Sequence, residues 1–438
     1  MRYVEPIKSF LLFFLVGLSL TLTVMTLNYT PKHQFIEKSV VEDVITNENK
    51  SMKDILKPYR AVVRIEDTFK GTTSTSYIES VLSYFENVKA TDLTLINNNL
   101  SIQQINDLMA INNRLMLFSS AEIPLQNFMN ILNFETEDLP EMSFDRIIID
   151  WNNLNKNREV TVLLLNTING TLYGTSIEDQ GESRVINTLV EPTKSFYIYK
   201  EIKRKNFLSL YTDVNPVEAV KYMYLVQDIP IEKFKKILFP DQDIVQLSVE
   251  TATTQKYSEF MSFMTVDTKN LILNYVYTPS EGLAYIPPSK LLKESFSFIN
   301  EHGGYNADYR LSLINKDKHI VDYQLYYHGL PVFSAETTTK ISTTWGDEEV
   351  HKYRRPYYVL ERDIPGEMKV KELPSGVEIV ETYIESQANV KDLVLGYYLI
   401  QNIDLQVFEL EPAWFILKEN SWERIKFDDT GGMTHGLE

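Results

Sequence analysis

The chain begins with an apolar segment long enough to cross a membrane. From Ser9 to Pro31 there is no charged side chain, and a helix needs about 20 such residues to span the hydrocarbon core of a bilayer. No later stretch approaches this length without a charge. We therefore expect residues 1–31 to form a short cytoplasmic N-terminus followed by a single transmembrane anchor.

The charges beside this segment predict its orientation. Arg2 and Lys8 precede it, against one acid, Glu5, and basic residues favour the cytoplasmic side of a membrane. We expect residues 32–438 to lie outside the cell. The alternative is a cleaved secretory signal, whose apolar region runs only about 7–15 residues before a small-x-small site. This segment is longer and offers no A-x-A, which favours an uncleaved anchor.

Small and hydroxylated residues mark one side of the predicted span. Gly17 and Thr21 lie four positions apart, and Ser19, Thr23 and Thr26 fall on a neighbouring face. Small residues at this spacing let helix backbones approach closely, and hydroxyls can form hydrogen bonds across helices. These five residues form the predicted helix-contact face. The alternative is that the hydroxyls only bond back to their own helix, as Ser and Thr commonly do in spans.

Composition and motifs exclude several classes of function. The chain has no Cys, which rules out disulfides, thiolate zinc sites and a Cys nucleophile. Its net charge of -17 has the wrong sign for neutralising phosphates, so we expect no nucleic-acid partner. The G-x-S-x-G, G-x-G-x-x-G, P-loop, H-E-x-x-H and EF-hand patterns are all absent. Without such a pattern, no class of catalytic chemistry is indicated.

Isolated ionisable residues do not change this interpretation. None of the six His lies two to four residues from another, although His319 and His328 bracket one predicted strand. Acidic pairs such as Glu348-Glu349 and Asp241-x-Asp243 lie in polar, turn-like sequence, typical of solvated loops. We therefore predict no catalytic, cofactor-binding or metal-binding residues and no cofactor.

The pattern beyond the anchor predicts an α+β fold in several parts. Between Pro58 and Pro192 helix-like and strand-like patterns alternate, which predicts an α/β domain. Asn169-Gly170 predicts a type I′ hairpin turn, and Ser289 is placed to cap a later helix. The predicted parts are a juxtamembrane stalk at 32–57, an N-terminal α/β domain at 58–192, a central α+β domain at 193–283, a C-terminal α+β domain at 284–427 and a disordered tail at 428–438.

Three strands are rich in tyrosine. Val220–Gln227, Val321–Gly329 and Arg354–Arg362 place Tyr on both strand faces. Tyr on an exposed sheet face suits a partner surface, because it buries a large area at low entropic cost. The alternative is an ordinary sheet with Tyr at its rim.

In several of these features the chain resembles the YycH (WalH) family. The resemblance lies in the single N-terminal span, the α/β first part of the ectodomain and three segments, Ile229–Asp241, Leu291–Ala335 and Leu410–Ile425. The last two segments are also similar to the companion protein YycI, which implies a YycI-like C-terminal module at 284–427.

The resemblance implies a function and partners. It implies a non-enzymatic extracytoplasmic regulator that pairs with a YycI-like membrane protein as a heterodimer. The two anchors would contact the essential WalK/YycG sensor histidine kinase of Gram-positive bacteria, whose two-component system controls cell-wall metabolism. Two alternatives from other classes remain, a membrane-anchored cell-wall-processing enzyme and a ligand-binding receptor ectodomain. An enzyme should show converging perturbed groups in a cleft, whereas a subunit should show a broad apolar and aromatic patch on its C-terminal module.

Overall fold

The computed structural model describes residues 12, 14–23, 49–134, 139–178, 182–280, 282, 284–364, 368–384, 390–402, 405, 407–418 and 421–426. Residues 12 and 14–23 of the predicted span are helical, and its other residues, Thr26 included, lie outside the described residues. In the described ranges, no helix is both long and apolar enough to cross a membrane. The predicted tail at 428–438 and most of the predicted stalk also lie outside these ranges.

The end of the predicted stalk packs against the ectodomain. Helix α1 (Met52–Ile55) is capped by Ser51 and Asp54 in a reciprocal capping box. Ile55 and Leu56 are buried. The Asn300 side chain exchanges hydrogen bonds with the backbone of Lys50. The chain therefore joins the folded body before Pro58, because these two apolar side chains find a place in its core.

The first sheet holds the strands up to Asp213. Its strands are β1 (Arg60–Ile65), β2 (Thr68–Thr72), β3 (Lys89–Ala90), β4 (Thr94–Asn97), β5 (Arg114–Pro124), β6 (Asn133–Phe134), β7 (Ser143–Asp150), β8 (Glu159–Asn166), β9 (Thr171–Glu178), β10 (Tyr197–Arg204) and β11 (Phe207–Asp213). They lie in the order β11-β10-β2-β1-β5-β7-β8-β9-β3-β6, with β4 on β9. Strands that follow directly in the chain form many of these pairs, so hairpins build the sheet.

The expectation of an α/β first domain needs correction. An α/β domain has a parallel sheet with helices as crossovers, but the strand pairs of the first sheet are antiparallel apart from the short β3–β6 pair. The helices are α2 (Thr75–Glu86), α3 (Ile102–Met109), α4 (Leu125–Phe128), α5 (Leu154–Asn157) and α6 (Glu182–Val185). Helices and strands alternate along the chain as predicted, but alternation alone does not fix strand direction, and short helices serve here as connections at the sheet faces.

The turn at Asn169-Gly170 also differs from its prediction. The β8–β9 register pairs Asn166 with Thr171, so four residues form the loop. Gly170 has a φ of 73°, but Asn169 is not among the positive-φ residues. Two side chains hold this wider loop. Asn166 accepts the backbone N–H groups of residues 168 and 169, and Asp145 accepts from the backbone and hydroxyl of Thr167.

The second sheet takes the rest of the chain. Its strands are β12 (Val217–Asp228), β13 (Gln246–Thr251), β14 (Thr254–Glu259), β15 (Ser262–Asp267), β16 (Ile272–Tyr277), β17 (Asp308–Asn315), β18 (Ile320–Tyr327), β19 (Leu330–Phe333), β20 (Lys340–Trp345), β21 (Val350–Pro356), β22 (Tyr358–Asp363), β23 (Lys369–Leu373), β24 (Val390–Asn402), β25 (Val407–Lys418) and β26 (Ser421–Arg424). The order is β13-β14-β15-β16-β21-β20-β18-β19-β24-β25-β12-β22, with β17 on β18, β23 on β12 and β26 on β25.

The chain passes from the first sheet to the second between Asp213 and Val217, whereas the sequence pattern changes near residue 192. The reason is that β10 pairs with β2 and so belongs to the first sheet. A second pairing, between β16 and β21, joins the predicted central and C-terminal parts in one sheet. The fold is mixed α+β with large sheets.

Three helices accompany the second sheet, α7 (Ile231–Leu238), α8 (Pro288–Glu301) and α9 (Gly376–Ile379). Ser289 does not cap α8. The helix begins at Pro288, one residue before Ser289, and its N-cap is Pro287. Proline suits this first turn, where no intrahelical acceptor exists for its missing N–H. The helix ends as predicted at two glycines of positive φ, Gly303 and Gly304, and the Gly304 N–H closes the last turn on the Ile299 carbonyl.

One hydrophobic core runs through both sheets. A continuous cluster of buried residues extends from Ile55 and the α2 face (Ile78, Val81, Leu82, Phe85) to Leu410 of β25. Strands β5 and β17 pack against each other across the junction. The two halves of the ectodomain therefore share buried surface and hold a fixed relation to each other.

Candidate functional site

A buried ion pair lies where the two sheets meet. Arg60 at the start of β1 and Asp392 near the start of β24 are 3% and 5% exposed. The Arg60 Nη2 donates to both carboxylate oxygens of Asp392 at 2.9 Å. Because each charge is removed from water, each requires the other. The pair thus links the first sheet to the second through a contact that neither sheet could satisfy alone.

Neighbouring groups complete this pair. The Arg60 Nη1 donates to the carbonyls of Tyr211 and Leu393 at 3.1 Å, and its guanidinium lies 4.6 Å from the ring centre of Phe118. Asp392 also accepts the Tyr59 hydroxyl and the Leu393 backbone N–H. Burial by itself raises the pKa of Asp392, but the charges of Arg60 and Arg146 and the hydrogen bonds from Tyr59 and Arg60 together hold that pKa below its usual range. Asp392 is therefore ionised in the folded protein.

A small cleft opens beside the ion pair, with about 60 Å³ of free space. Its lining comes from both sheets: Tyr59, Arg60, Thr73, Tyr197, Tyr199, Thr212, Asp213, Val217, Leu330, Pro331, Leu393, Val394, Leu395 and Trp414. Tyr197 is 65% exposed and stands at the mouth, whereas Tyr199 is buried. The cleft thus offers polar and aromatic groups at a point that only the assembled fold creates.

Asp213 is the carboxylate of this cleft that has no ion-pair partner among the described residues. Burial raises its pKa to about 6, although its own backbone N–H and the Arg60 charge act in the opposite direction. Directly opposite it in the β10–β11 register is Tyr199. Burial and the nearby Asp213 charge both raise the pKa of the Tyr199 hydroxyl, which stays protonated.

Gly71 of β2 makes room for the Tyr199 ring. A Cβ atom at Gly71 would lie 2.2 Å from that ring, well inside van der Waals contact. Strand β10 pairs with β2 at this point, so the ring lies flat across the neighbouring strand. The absence of a side chain at Gly71 therefore lets the Tyr199 ring pack closely on β2, where the ring forms one wall of the cleft.

The predicted helix-contact residues are placed only in part. In the described helical segment, the Thr21 hydroxyl donates to the Gly17 carbonyl at 2.5 Å and the Thr23 hydroxyl to the Ser19 carbonyl at 2.8 Å. Both hydroxyls thus bond to their own helix. Apart from its chain neighbours and the backbone of its own helix, no described residue has an atom within 4 Å of where a Cβ of Gly17 would lie. A contact between this face and another helix stays a prediction.

The tyrosine-rich strands are mostly core. Tyr224, Tyr323, Tyr326, Tyr357 and Tyr358 are between 0 and 5% exposed. Their hydroxyls find partners inside the fold, as when Tyr358 donates to the Thr338 carbonyl at 3.1 Å. The interpretation of these strands as an exposed partner surface is wrong for these five residues. The strands lie against α8 and the common core, where tyrosine can bury its ring and still place its hydroxyl.

The structure places the acidic pairs and one of the histidines that were noted in the sequence. Glu348, Glu349, Asp241 and Asp243 are exposed, as expected for solvated loops. Across the described ranges, no group of three or more His, Asp or Glu is arranged to hold a metal ion. His319 is buried beside its turn, rather than facing solvent.

Arg60, Asp392 and Asp213 are not among the residues predicted from the sequence. A signal was present for the first two, since each is a charged residue at the edge of an apolar strand, in RAVVRI and VKDLVLG. Charged residues are almost never fully buried unless paired, so two such strands indicate a possible pair. Which strands meet could not be read from the pattern, because the pair joins residues 332 positions apart.

Large apolar side chains are also exposed on the C-terminal half. Val249 of β13 is 67% exposed, and Phe260 and Met261 in the β14–β15 turn are 86% and 57% exposed. Phe260 also has a φ of 48°, a conformation that bulky residues rarely adopt. Exposed apolar side chains at a strained turn are candidates for contact with a partner.

Comparison with known proteins assigns the chain to a family. The model of the YycH protein N-terminal domain matches residues 5–191, and that of the YycH protein C-terminal domain matches residues 208–432. The chain belongs to the YycH family. This confirms the resemblance seen in the sequence. The family consists of regulatory proteins with an extracytoplasmic domain, rather than enzymes.

A solved structure agrees with this assignment. The crystal structure of YycH from Bacillus subtilis is similar with a TM-score of 0.73 and 16% sequence identity, over 87% of this chain and 99% of that chain. At this identity the likeness shows the fold. Among curated proteins, no match is found.

Proposed function

We propose that this protein is a membrane-anchored extracytoplasmic regulator that associates with a YycI-like membrane protein and modulates a WalK/YycG-type sensor histidine kinase. The observation that carries the proposal is the match of both halves to the YycH domains. Control of cell-wall metabolism follows from the same family. An apolar N-terminal segment of membrane-spanning length supports the anchor.

The contacts at the junction of the two sheets support the proposal that the ectodomain transmits movement from a bound partner. A buried ion pair, a shared core and several side-chain bonds join the halves, among them Arg310 to the Pro58 carbonyl at 3.0 Å and to the Thr75 hydroxyl at 3.1 Å. A body held in this way moves as a unit. A partner bound to the C-terminal half can then reposition the N-terminal segment through the whole body.

Regulation requires a difference in contact between two kinase states. A ligand shifts a two-state equilibrium only by as much as it binds one state better than the other. In the described part of the chain, no residue outside its own helix packs against Gly17, and a glycine at such a position lets a neighbouring helix approach closely. We expect this face to contact the kinase helices in one state more tightly than in the other.

Co-purification of full-length chains tests the association. The protein and a YycI-like protein are produced together, extracted in mild detergent and purified through a tag on one of them. The control replaces residues 49–438 by an unrelated soluble domain on the same anchor, which separates ectodomain contact from helix contact. We expect a one-to-one complex that persists at micromolar concentration and is lost in the control. Recovery of the tagged chain alone would contradict the proposal.

A further inference from the structure

We infer that the cleft beside the ion pair binds an alkylammonium group, with Asp213 as its counter-charge and the rings of Tyr197 and Tyr199 as its walls. This site is independent of the proposed partners. It rests on the charge, the size and the chemistry of the cleft.

The cleft holds one carboxylate that has no ion-pair partner among the described residues. Arg60 is paired with Asp392, and its charge lowers the pKa of Asp213 without offsetting the effect of burial. Asp213 lines the same cleft, and in the described part of the chain no Lys or Arg nitrogen lies within ion-pair distance of it. A partly buried carboxylate without a partner is costly. A cation that enters the cleft would supply the missing partner.

The cation is an organic ammonium rather than a metal ion. Hard metal ions take six or more oxygen ligands, and the described residues offer no cluster of three or more metal-binding side chains. Asp213 is a single carboxylate in a cleft that Tyr197 and Tyr199 also line. An ammonium group is satisfied by one carboxylate, a hydroxyl and the face of an aromatic ring. Free space of about 60 Å³ admits the end of an alkyl chain, not a bulky cation.

The walls suit the alkyl part of such a ligand. Tyr197 at the mouth is largely exposed, while Tyr199 is held in place over Gly71. Apolar side chains from the second sheet, Leu330, Pro331 and Val394, complete the lining. The charged end can therefore meet Asp213 while the methylene chain lies against apolar surface, as lysine side chains do at protein surfaces.

Binding should depend on pH, because only ionised Asp213 attracts a cation. Its pKa near 6 in the empty cleft means that ligand binding must displace a proton below that pH. The affinity should be constant above about pH 7 and should fall about tenfold by about pH 5. The charged or titratable groups that face Asp213 are Tyr59 and Arg60 on β1, Tyr197 and Tyr199 on β10, and Asp392 on β24. Arg60 stays charged, the tyrosines with raised pKa values stay neutral, and the low pKa of Asp392 keeps it ionised.

Ligand-detected saturation-transfer NMR on the full chain in detergent tests the site. The probes are n-butylammonium and the neutral n-butanol, each titrated at constant ionic strength. We expect saturable binding of n-butylammonium and at least tenfold weaker binding of n-butanol, the loss expected for a missing charge-assisted hydrogen bond. Equal binding of the two probes, or no binding of either, would overturn the inference.

Two variants and one matched control locate the binding. Asp213→Asn keeps the shape of the side chain and should weaken n-butylammonium at least tenfold, and Tyr197→Leu at the exposed mouth should weaken it severalfold. Asp317→Asn, in an exposed turn, should leave it unchanged. Unaltered affinity in Asp213→Asn, or the same affinity at pH 5 and pH 7.5, would refute the site.

A second probe pair identifies the source of the ammonium group. The peptides acetyl-Gly-Lys-Gly-amide and acetyl-Gly-norleucine-Gly-amide differ only in the charge at the end of the side chain. Selective binding of the lysine peptide supports the site with a lysine side chain of a protein as its occupant. Binding of n-butylammonium without the peptide supports it with a free small amine.

Discussion

Replacing Asp392 by asparagine tests how strongly the buried Arg60–Asp392 ion pair stabilises the junction of the two sheets. Asn has nearly the same shape and can still accept the Leu393 N–H, which reaches Asp392 at 2.8 Å. It cannot neutralise Arg60, whose Nη2 lies 2.9 Å from both carboxylate oxygens. The amide NH2 would also face the guanidinium donors. Asp392→Asn therefore leaves a buried, unpaired positive charge.

The size of the effect follows from burial. Arg60 and Asp392 are 3% and 5% exposed, and removal of one partner from a buried pair costs about 3–5 kcal/mol. A matched control lies on the same strand. Arg64 and Asp67 form an ion pair at 3.2 Å, but the Asp67 side chain is 79% exposed, and such pairs contribute about 0–1 kcal/mol. Asp67→Asn should therefore change stability little.

The assay is urea unfolding of the full chain in detergent, followed by tryptophan fluorescence. We expect Asp392→Asn to lower the free energy of unfolding by about 3–5 kcal/mol and Asp67→Asn by less than about 1 kcal/mol. Combining Asp392→Asn with Arg60→Met should cost less than the sum of the single changes, because the second change removes the charge that the first left unpaired. A loss in Asp392→Asn no larger than in Asp67→Asn, or strict additivity, would show that Arg60 and Asp392 are not a buried, mutually dependent pair.

Three further predictions use other parts of the chain. Asp213→Asn should raise the free energy of unfolding near pH 7.5 by up to about 3 kcal/mol and change it little near pH 4, because a pKa raised to about 6 in the folded state makes stability fall between about pH 4 and pH 6. Urea unfolding at both pH values checks this, and equal effects would contradict it. Phe260→Asn should stabilise by about 1 kcal/mol, since Phe260 is 86% exposed at a φ of 48°; a loss of stability would show that the ring packs against the protein. Gly17→Leu should weaken association in a membrane-helix association assay because it fills the open face, and unchanged association would place that face against lipid.

The local elements could be predicted where spacing alone decides them. The apolar residues Ile78, Val81, Leu82 and Phe85 recur at helical period, and all four are fully buried on α2. The two glycines after α8 ended that helix as predicted. In these cases the cause of the structure lies within a few residues of sequence, so a short window contains it.

Pairing between distant strands could not be predicted in the same way. The antiparallel first sheet and the return of β10 to β2 depend on which strands meet, and periodicity is silent on that. The ion pair between Arg60 and Asp392 could not be predicted for the same reason, because it joins two distant strands. Tyrosine was ambiguous for another reason. Its ring suits both a core and an exposed surface, and at Tyr323 or Tyr353 the depth of burial is decided by the helix packed above the strand.

The proposed function requires that this protein change the output of a sensor kinase by contact. The direct measurement is the autophosphorylation rate of a WalK/YycG-type kinase in proteoliposomes, with the full-length protein and a YycI-like partner present or absent. A further arm carries this ectodomain on an unrelated transmembrane helix. We predict that the complete pair changes the rate and that the exchanged anchor abolishes the change. A rate that is the same with and without the pair would contradict the proposed regulation of the kinase.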